Sequence, residues 1–536
     1  MAAAGGCWEG NEVPRPVLAA LDGCGFDVVV IGAGAVGASA AQQLAGAGYN
    51  TLIVDKGDFG SGSSSRSSRL LHCGLRYLEP GEGLAYRNPT MWDPVLHPRR
   101  YLHNLGRARD AMAARTELST TMPERLHAFT FCFPIYSDGP YRPWQAGLGF
   151  RLLASLGPRG GVPLGTSRLS AAEARVTPLL EWLRDPEKLR CVQTWREFRY
   201  EWPERIALDT LLDAARMGAV ARNHTPVTAL DRAGEGWRVT LGDGFESGAS
   251  ASVEAKCVLN TAGVWTDRVN DLGSESAGRK IMGTKGCHIM MRLPPECAPY
   301  GVCTHTTGRE PFYLIPWRGM HYAGPTDTAY EGDIDDVTAT EAEIEHLLHE
   351  TNHLLPGAGV KREDVLFSWA GVRPLTYDPD EPMGKRGHTL HDLSADGMPG
   401  AFAMTSSPIQ SHRFAGRQLS AAVGRRIGPS GGRQEISYAA KPFPEDADSP
   451  ALLNHWDGVS IADLRHAAER EQPMTLVDLL FRRVGAGWTE TMAREGAQTA
   501  AETVADILGW DKARIDAEVE AYRAHVAHLH NAGGGG

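Results

Sequence analysis

Gly32, Gly34 and Gly37 form a G-x-G-x-x-G set between an apolar run and a run of small residues. That spacing serves the binding of a diphosphate. The first glycine allows a tight turn, the second lets backbone approach the phosphates, and the third lets a helix pack close on a strand. A helix starting here turns free N–H groups and a partial positive charge toward the anion. The elements that must position these glycines are readable around them. Residues 26–31 read FDVVVI, a β-branched run suited to a buried parallel strand. A small-residue helix follows to about Gly48, and residues 51–54 read as a second strand that ends at Asp55. A carboxylate at that point accepts ribose hydroxyls. Strand, helix, strand and terminal acid in this order predict a dinucleotide site.

Two later features select the dinucleotide. Residues 60–69, GSGSSSRSSR, would pass for a linker by composition. Directly after a nucleotide-binding unit they predict a phosphate-side loop, with Ser64, Ser65 and Ser68 as contacts. Residues 257–260 read as a strand closed by Thr261-Ala262-Gly263, a second backbone approach with Trp265 beside it. The combination suits FAD in an extended cleft better than exchangeable NAD. The isoalloxazine is then the reactive group, and the protein's task is to position and tune it.

The chain has 536 residues, enough for two to four domains at roughly 150 each. Its 42% hydrophobic and 22% charged residues exclude a disordered, collagenous or coiled-coil protein. A net charge of −11 argues against a nucleic-acid binder but leaves room for a local basic pocket that takes a small anion. Nine scattered cysteines without a CxxC pair fit a reduced cytosol better than a disulfide framework or a zinc ribbon. We expect a cytoplasmic protein with no signal peptide and no membrane span, peripheral contact with the inner membrane staying open. Further along, residues 205–217 predict a helix, 225–259 strands and 281–330 a β-rich block. Residues 339–355 predict an amphipathic helix with Ile344, Leu347 and Leu348 inward. Residues 428–450 read as a domain linker, and 451–530 as helical. His346, His349 and His353, with Glu350 between, have a spacing that could clamp a metal. That helix already has an apolar core face, so no metal is expected.

The stretches SSSRSSRLLHCGLRYLE (63–79), NTAGVW (260–265), TKGCHI (284–289), LIPW (314–317), GPTD (324–327) and AGVRPL (370–375) resemble the flavin-dependent glycerol-3-phosphate dehydrogenase family. MTLVDLLFRR (474–483) resembles that family's C-terminal domain, so the likeness covers nearly all of the chain after residue 25. It implies an α/β fold: a Rossmann-type FAD-binding domain built from residues 26–110, 205–283 and 370–430, a cap region at 111–204, a mixed β-sheet substrate domain at 284–369, and a helical domain at 450–530. It also implies oxidation of a secondary alcohol on glycerol 3-phosphate or a related polyol phosphate. Hydride goes to flavin N5, and the electrons pass on to quinone or oxygen. A homodimer is left open. In the family's HGGLRY motif the histidine serves as base and the arginine lies at the substrate, which carries over to His72 and Arg76. Four apart, the two would share one face of a helix. Cys73 replaces a glycine and is read as a small buried residue. A buried phosphate dianion needs several cationic donors. Arg373 matches a family substrate arginine, and Arg309 and Lys285 are further candidates.

One stretch departs from the family pattern. Where the family carries GGKLTTYR, this chain carries SSPIQSHR at 406–413, so Pro408 stands in place of a lysine and serines in place of both glycines. Proline removes an N–H donor along with the cation. Flavin can still meet the following helix through Ser407, Gln410 and Arg413, but the substrate contact cannot be the family's own, which favours a longer polyol phosphate. Two other readings stay open: an amine or amino-acid oxidase of the same superfamily, and a flavin-binding protein without turnover.

Overall fold

The computed structural model describes residues 12–78, 98–406 and 408–530. β1 (Gly25–Ile31) is buried from Phe26 onward and leads through Gly32 into helix α1 (Ala35–Ala47), which returns to β2 (Thr51–Val54). β2 and the strand Ser250–Asn260 flank β1 on either side, both parallel to it. Ile31 lies opposite Val54 on one side and Asn260 on the other, so the three strands end at one level. The Gly32 turn, Asp55 and Thr261-Ala262-Gly263 therefore meet outside the carboxyl ends of the strands, where open parallel sheets hold their ligands. Val220–Arg222, Ala401–Thr405 and Thr389–Asp392 extend this sheet, and the hairpin Val227–Ala233/Gly236–Gly242 hangs from it. α1 packs on one face with the helices Pro203–Arg216 and His412–Gly424, through Leu44, Leu208, Leu211 and Leu419.

A second, mixed sheet carries Ile281–Met291, Met320–Gly324, Pro311–Trp317, Tyr300–His305, Leu126–Tyr136 and Leu189–Tyr200. The short β3 (Leu70–Leu71) joins its edge, with Leu71 opposite Phe198. This pairing carries the chain from the serine loop into His72. Helix α2 (Pro98–Thr121) then crosses the turn that follows. Gly74 sits there at φ 88°, and a Cβ would lie 2.9 Å from that of Ala111. His72 and Arg76 thus stand on a turn capped by three residues of 3-10 helix, Leu75–Tyr77, and not on the single α-helical face their spacing suggested.

Helix Glu341–Leu354 buries Ile344, Leu347 and Leu348 as expected. His346, His349 and His353 are exposed, while Glu350 turns inward to accept from the Thr307 N–H at 2.9 Å. The C-terminal region opens with a hairpin, Ala451–Leu453/Trp456–Ser460, ahead of the helices Ile461–Arg470, Ala497–Leu508 and Lys512–His530. Its Phe481, Trp488 and Tyr522 share one core with Trp317, Phe367 and Trp369 of the second sheet. Residues 428–450 are a strap across the first domain. Gly431 N–H donates to Gly48 O and Gln434 N–H to Gly46 O at the end of α1, at 2.8 and 2.9 Å. Carbonyls at a helix C-terminus lack intrahelical partners, and this irregular segment supplies them. Among the described residues no helix is long and apolar enough to cross a membrane.

Candidate active site

A cleft of about 560 Å³ runs from the ends of β1 and β2 to the second sheet. Its first half is lined by the Gly32–Gly34 turn, the serine loop and Ala262-Gly263. At Gly32, φ 98°, a Cβ would sit 2.7 Å from Thr261 O, and at Gly37 it would overlap Gly32 O. Ser64 Oγ accepts from the first N–H of α1, that of Ala35, at 3.1 Å. Asp55 accepts from Ala33 N–H at 2.7 Å and Gly57 N–H at 2.9 Å, which fixes the turn, and burial raises its carboxyl above the usual range. Ala262, Gly263 and Trp265 line the opposite side, and the Trp265 indole is held by Asp335 at 2.8 Å. These residues fit the adenosine diphosphate part of FAD: glycines that let the turn close against Thr261 and the start of α1, a helix N-terminus at the cleft and an acid at the end of the second strand.

The second half holds the titratable groups. His72 lines the cleft with Arg76, Tyr77 and Arg107. Gln410 accepts from the His72 backbone N–H at 3.1 Å, and the Tyr77 ring meets the imidazole edge-on at 5.5 Å. Gly74 N–H donates to His72 Nδ1 at 3.1 Å, so while that bond holds, the neutral ring carries its proton on Nε2. Burial, with Arg76 and Arg107 nearby, pushes the imidazole down to about 3, so it is neutral at physiological pH. Facing it, Arg373 donates to Asp327 and to Thr326 O, both at 3.0 Å, and Arg386 pairs with the same Asp327. Burial lowers Arg373 to about 10, which leaves it a cation. A Cβ on Gly286 would overlap the Arg373 guanidinium, so the glycine of TKGCHI clears space for the arginine of GVRPL.

Not every expected residue reaches the cleft. Lys285 points to the other face of its strand and pairs with Glu343 at 2.7 Å, because side chains alternate and Gly286 and His288 face the cleft. Arg309 is exposed on the turn between two strands, at φ 69°. Ser65 turns its hydroxyl back to Ser61 O and Gly62 O, while Ser68 does line the cleft and shares a 3.0 Å bond with His288 Nε2. Arg413 donates to Thr121 Oγ1 at 2.7 Å and stacks on Tyr438, so it ties α2 to the strap away from the cofactor side. Gln410 acts on His72, and Ser407 lies outside the described residues.

Arg107, Arg386, Asp327 and His288 were not singled out in the sequence. Asp327 and His288 stand inside the quoted GPTD and TKGCHI motifs, and the period of two from Gly286 would have found His288. Arg107 gives no local signal: it stacks over Tyr77 at 4.1 Å only because α2 crosses that turn.

The family model for FAD-dependent oxidoreductases, DAO, matches residues 27–421. The chain belongs to this family, and FAD is its cofactor. Glycerol-3-phosphate dehydrogenase of Synechocystis sp. is 27% identical over 94% of this chain and 96% of that protein. D-erythritol 1-phosphate dehydrogenase of Brucella abortus is 31% identical over 66% of this chain and 64% of that one. The solved glycerol-3-phosphate dehydrogenase of Bacillus halodurans, complexed with FAD, superposes with a TM-score of 0.71 over 96% of both chains at 19% identity, a likeness of fold.

Proposed function

We propose that this enzyme oxidises the secondary alcohol of a polyol monophosphate, glycerol 3-phosphate or a longer homologue, to the ketone. The observation that carries the reading is a single cleft in which four guanidiniums, Arg76, Arg107, Arg373 and Arg386, stand around a neutral imidazole. A phosphate dianion needs such a set, and an amino-acid carboxylate does not. The relatives' names agree with it. Arg373 and Arg386, braced by Asp327, hold the phosphate, and Arg76 orients the carbinol. The Ser64-capped end of α1, Asp55 and Ala262-Gly263 hold the cofactor, which when bound supplies the hydride acceptor. His72 handles the hydroxyl proton. To take that proton as a base it must release the Gly74 N–H from Nδ1, since Nε2 already carries one. The electrons then pass on to quinone or to oxygen.

The test is anaerobic bleaching of the bound flavin. Phosphate esters of glycerol or a tetritol should bleach it, and the free polyols should not. His72→Asn should keep its flavin and slow bleaching by about 10²-fold or more, the usual scale of a lost general base. Bleaching by amines or amino acids alone would make the protein an oxidase of that class. An unslowed His72→Asn would take the proton-handling role from His72.

A further inference from the structure

His288 lines the cleft, yet the reaction above gives it no part. Its ring is 2% exposed and lies flat on Trp369, with centroids 4.7 Å and planes 10° apart. At Gly324 a Cβ would sit 2.8 Å from His288 Cδ2, so the glycine of GPTD makes room for the imidazole. Burial, then Arg373 and Arg69, holds the ring well below its usual range, so it is neutral. Its Nε2 meets Ser68 Oγ at 3.0 Å, and its Nδ1 is buried without a partner among the described residues. A neutral imidazole carries one N–H and one lone pair. If Ser68 donated to Nε2, the proton would stand on Nδ1 and a buried N–H would go unpaired, the rarer defect. The other tautomer leaves only a lone pair unpaired. Nε2–H therefore donates to Ser68 Oγ, and the hydrogen of the serine is turned away from His288.

Among the described residues Ser68 Oγ has no further partner, and Ser68 lines the cleft. The backbone there is clamped by the second sheet: Tyr322 O–H donates to Ser68 O at 2.6 Å, and the Trp369 indole to Ser67 O at 3.3 Å. Ser64 stands at the start of α1, whereas Ser68 stands two residues before β3 and four before His72. We infer that His288 is a positioning residue that turns the Ser68 hydroxyl into the cleft as a fixed donor to an acceptor atom of the flavin ring. This rests on FAD as the cofactor and on His72 marking the reactive end of the cleft, and not on which ester is oxidised. A donor already held in place needs no reorientation when the charge of the ring changes, so it tunes the ring.

Anaerobic redox titration of the substrate-free holoenzyme reads the flavin potential. Ser68→Ala and His288→Phe, which keeps the stacking on Trp369, should each shift the two-electron reduction equilibrium by about three- to tenfold, or about 15–30 mV, with a change in the visible flavin band. The shift is downward where the lost bond was to a ring carbonyl and upward where it was to N5. The double variant should shift no further than Ser68→Ala, because both changes remove one bond. His288→Gln places an N–H near the position of Nε2 and should stay near the wild-type potential. An unmoved potential in Ser68→Ala, additive shifts in the double variant, or His288→Gln moving as far as Ser68→Ala overturns the inference. An unmoved potential with a raised Kd for phosphate esters in Ser68→Ala would also overturn it, and give the hydroxyl to the substrate. Should His288→Phe lose its flavin, Ser68→Ala and His288→Gln decide alone.

Discussion

At the scale of residues, the cleft joins side chains from distant parts of the chain around His72. Arg107 illustrates how. It reaches the site from α2, lies over Tyr77 and, after burial and Arg76, adds to what keeps the imidazole neutral. Arg107→Leu keeps apolar cover over Tyr77 and removes the charge. A lost charge-assisted contact of about 1.5–3 kcal/mol should raise the apparent KM for phosphate esters by about 10- to 100-fold, with a smaller fall in kcat. The acid limb of the kcat/KM profile should move to higher pH, because His72 loses one of the cations that disfavour its proton. An unmoved KM and limb would reduce Arg107 to packing. Arg373 was visible in the GVRPL motif, whereas its neighbour Arg386 owes its place to a shared Asp327 that no spacing reveals.

At the scale of elements, the cofactor turn is tied to the C-terminal region. Asp58, three residues past Asp55 and fully buried, accepts from Arg482 at 2.6 Å and from Arg483 at 2.7 and 2.6 Å. Asn223 donates to it at 2.8 Å. Nearby, Arg69 lies between the rings of Trp317 and Trp488, at 4.3 and 4.1 Å, and the Trp488 indole donates to Glu204 at 3.0 Å. Removing one partner from a buried ion pair leaves uncompensated charge and costs about 3–5 kcal/mol. Asp58→Asn, matched in shape, should therefore lower the urea midpoint and release flavin in the same transition. A midpoint and flavin content equal to wild type would show that the two regions hold together without it. MTLVDLLFRR was readable as part of a C-terminal domain. That its two arginines reach Asp58, more than 400 positions away, depends on the packing of the whole domain.

At the scale of the whole molecule, burial sets the acid response. His288, His321, His412 and His530 are all nearly inaccessible, and burial holds each below the ordinary imidazole range, His321 at about 4, His412 and His530 at about 3. The folded state keeps them neutral, while the unfolded chain binds protons near pH 6.5. Their stabilisation is complete above that pH and fades as pH falls from about 6.5 toward 4, by up to about 1.4 kcal/mol per pH unit for each. The urea midpoint should drop between pH 7.5 and 5.5, and His412→Gln should flatten the slope. A midpoint that held or rose on acidification would mean these rings are protonated in the fold.

The βαβ unit, the cofactor class and the core-facing residues of the helix Glu341–Leu354 followed from sequence alone, because each rests on local geometry: a glycine that must turn, a short β-branched run that must be buried, a helix with one apolar face. The position of His72 between Gln410 and Gly74, the arginines gathered around the cleft and the strap over α1 came only from the tertiary structure. They join residues from separate strands, helices and loops. Which side chains meet there is fixed by the register of two sheets and the crossing of α2, and those are decided by packing over the whole chain.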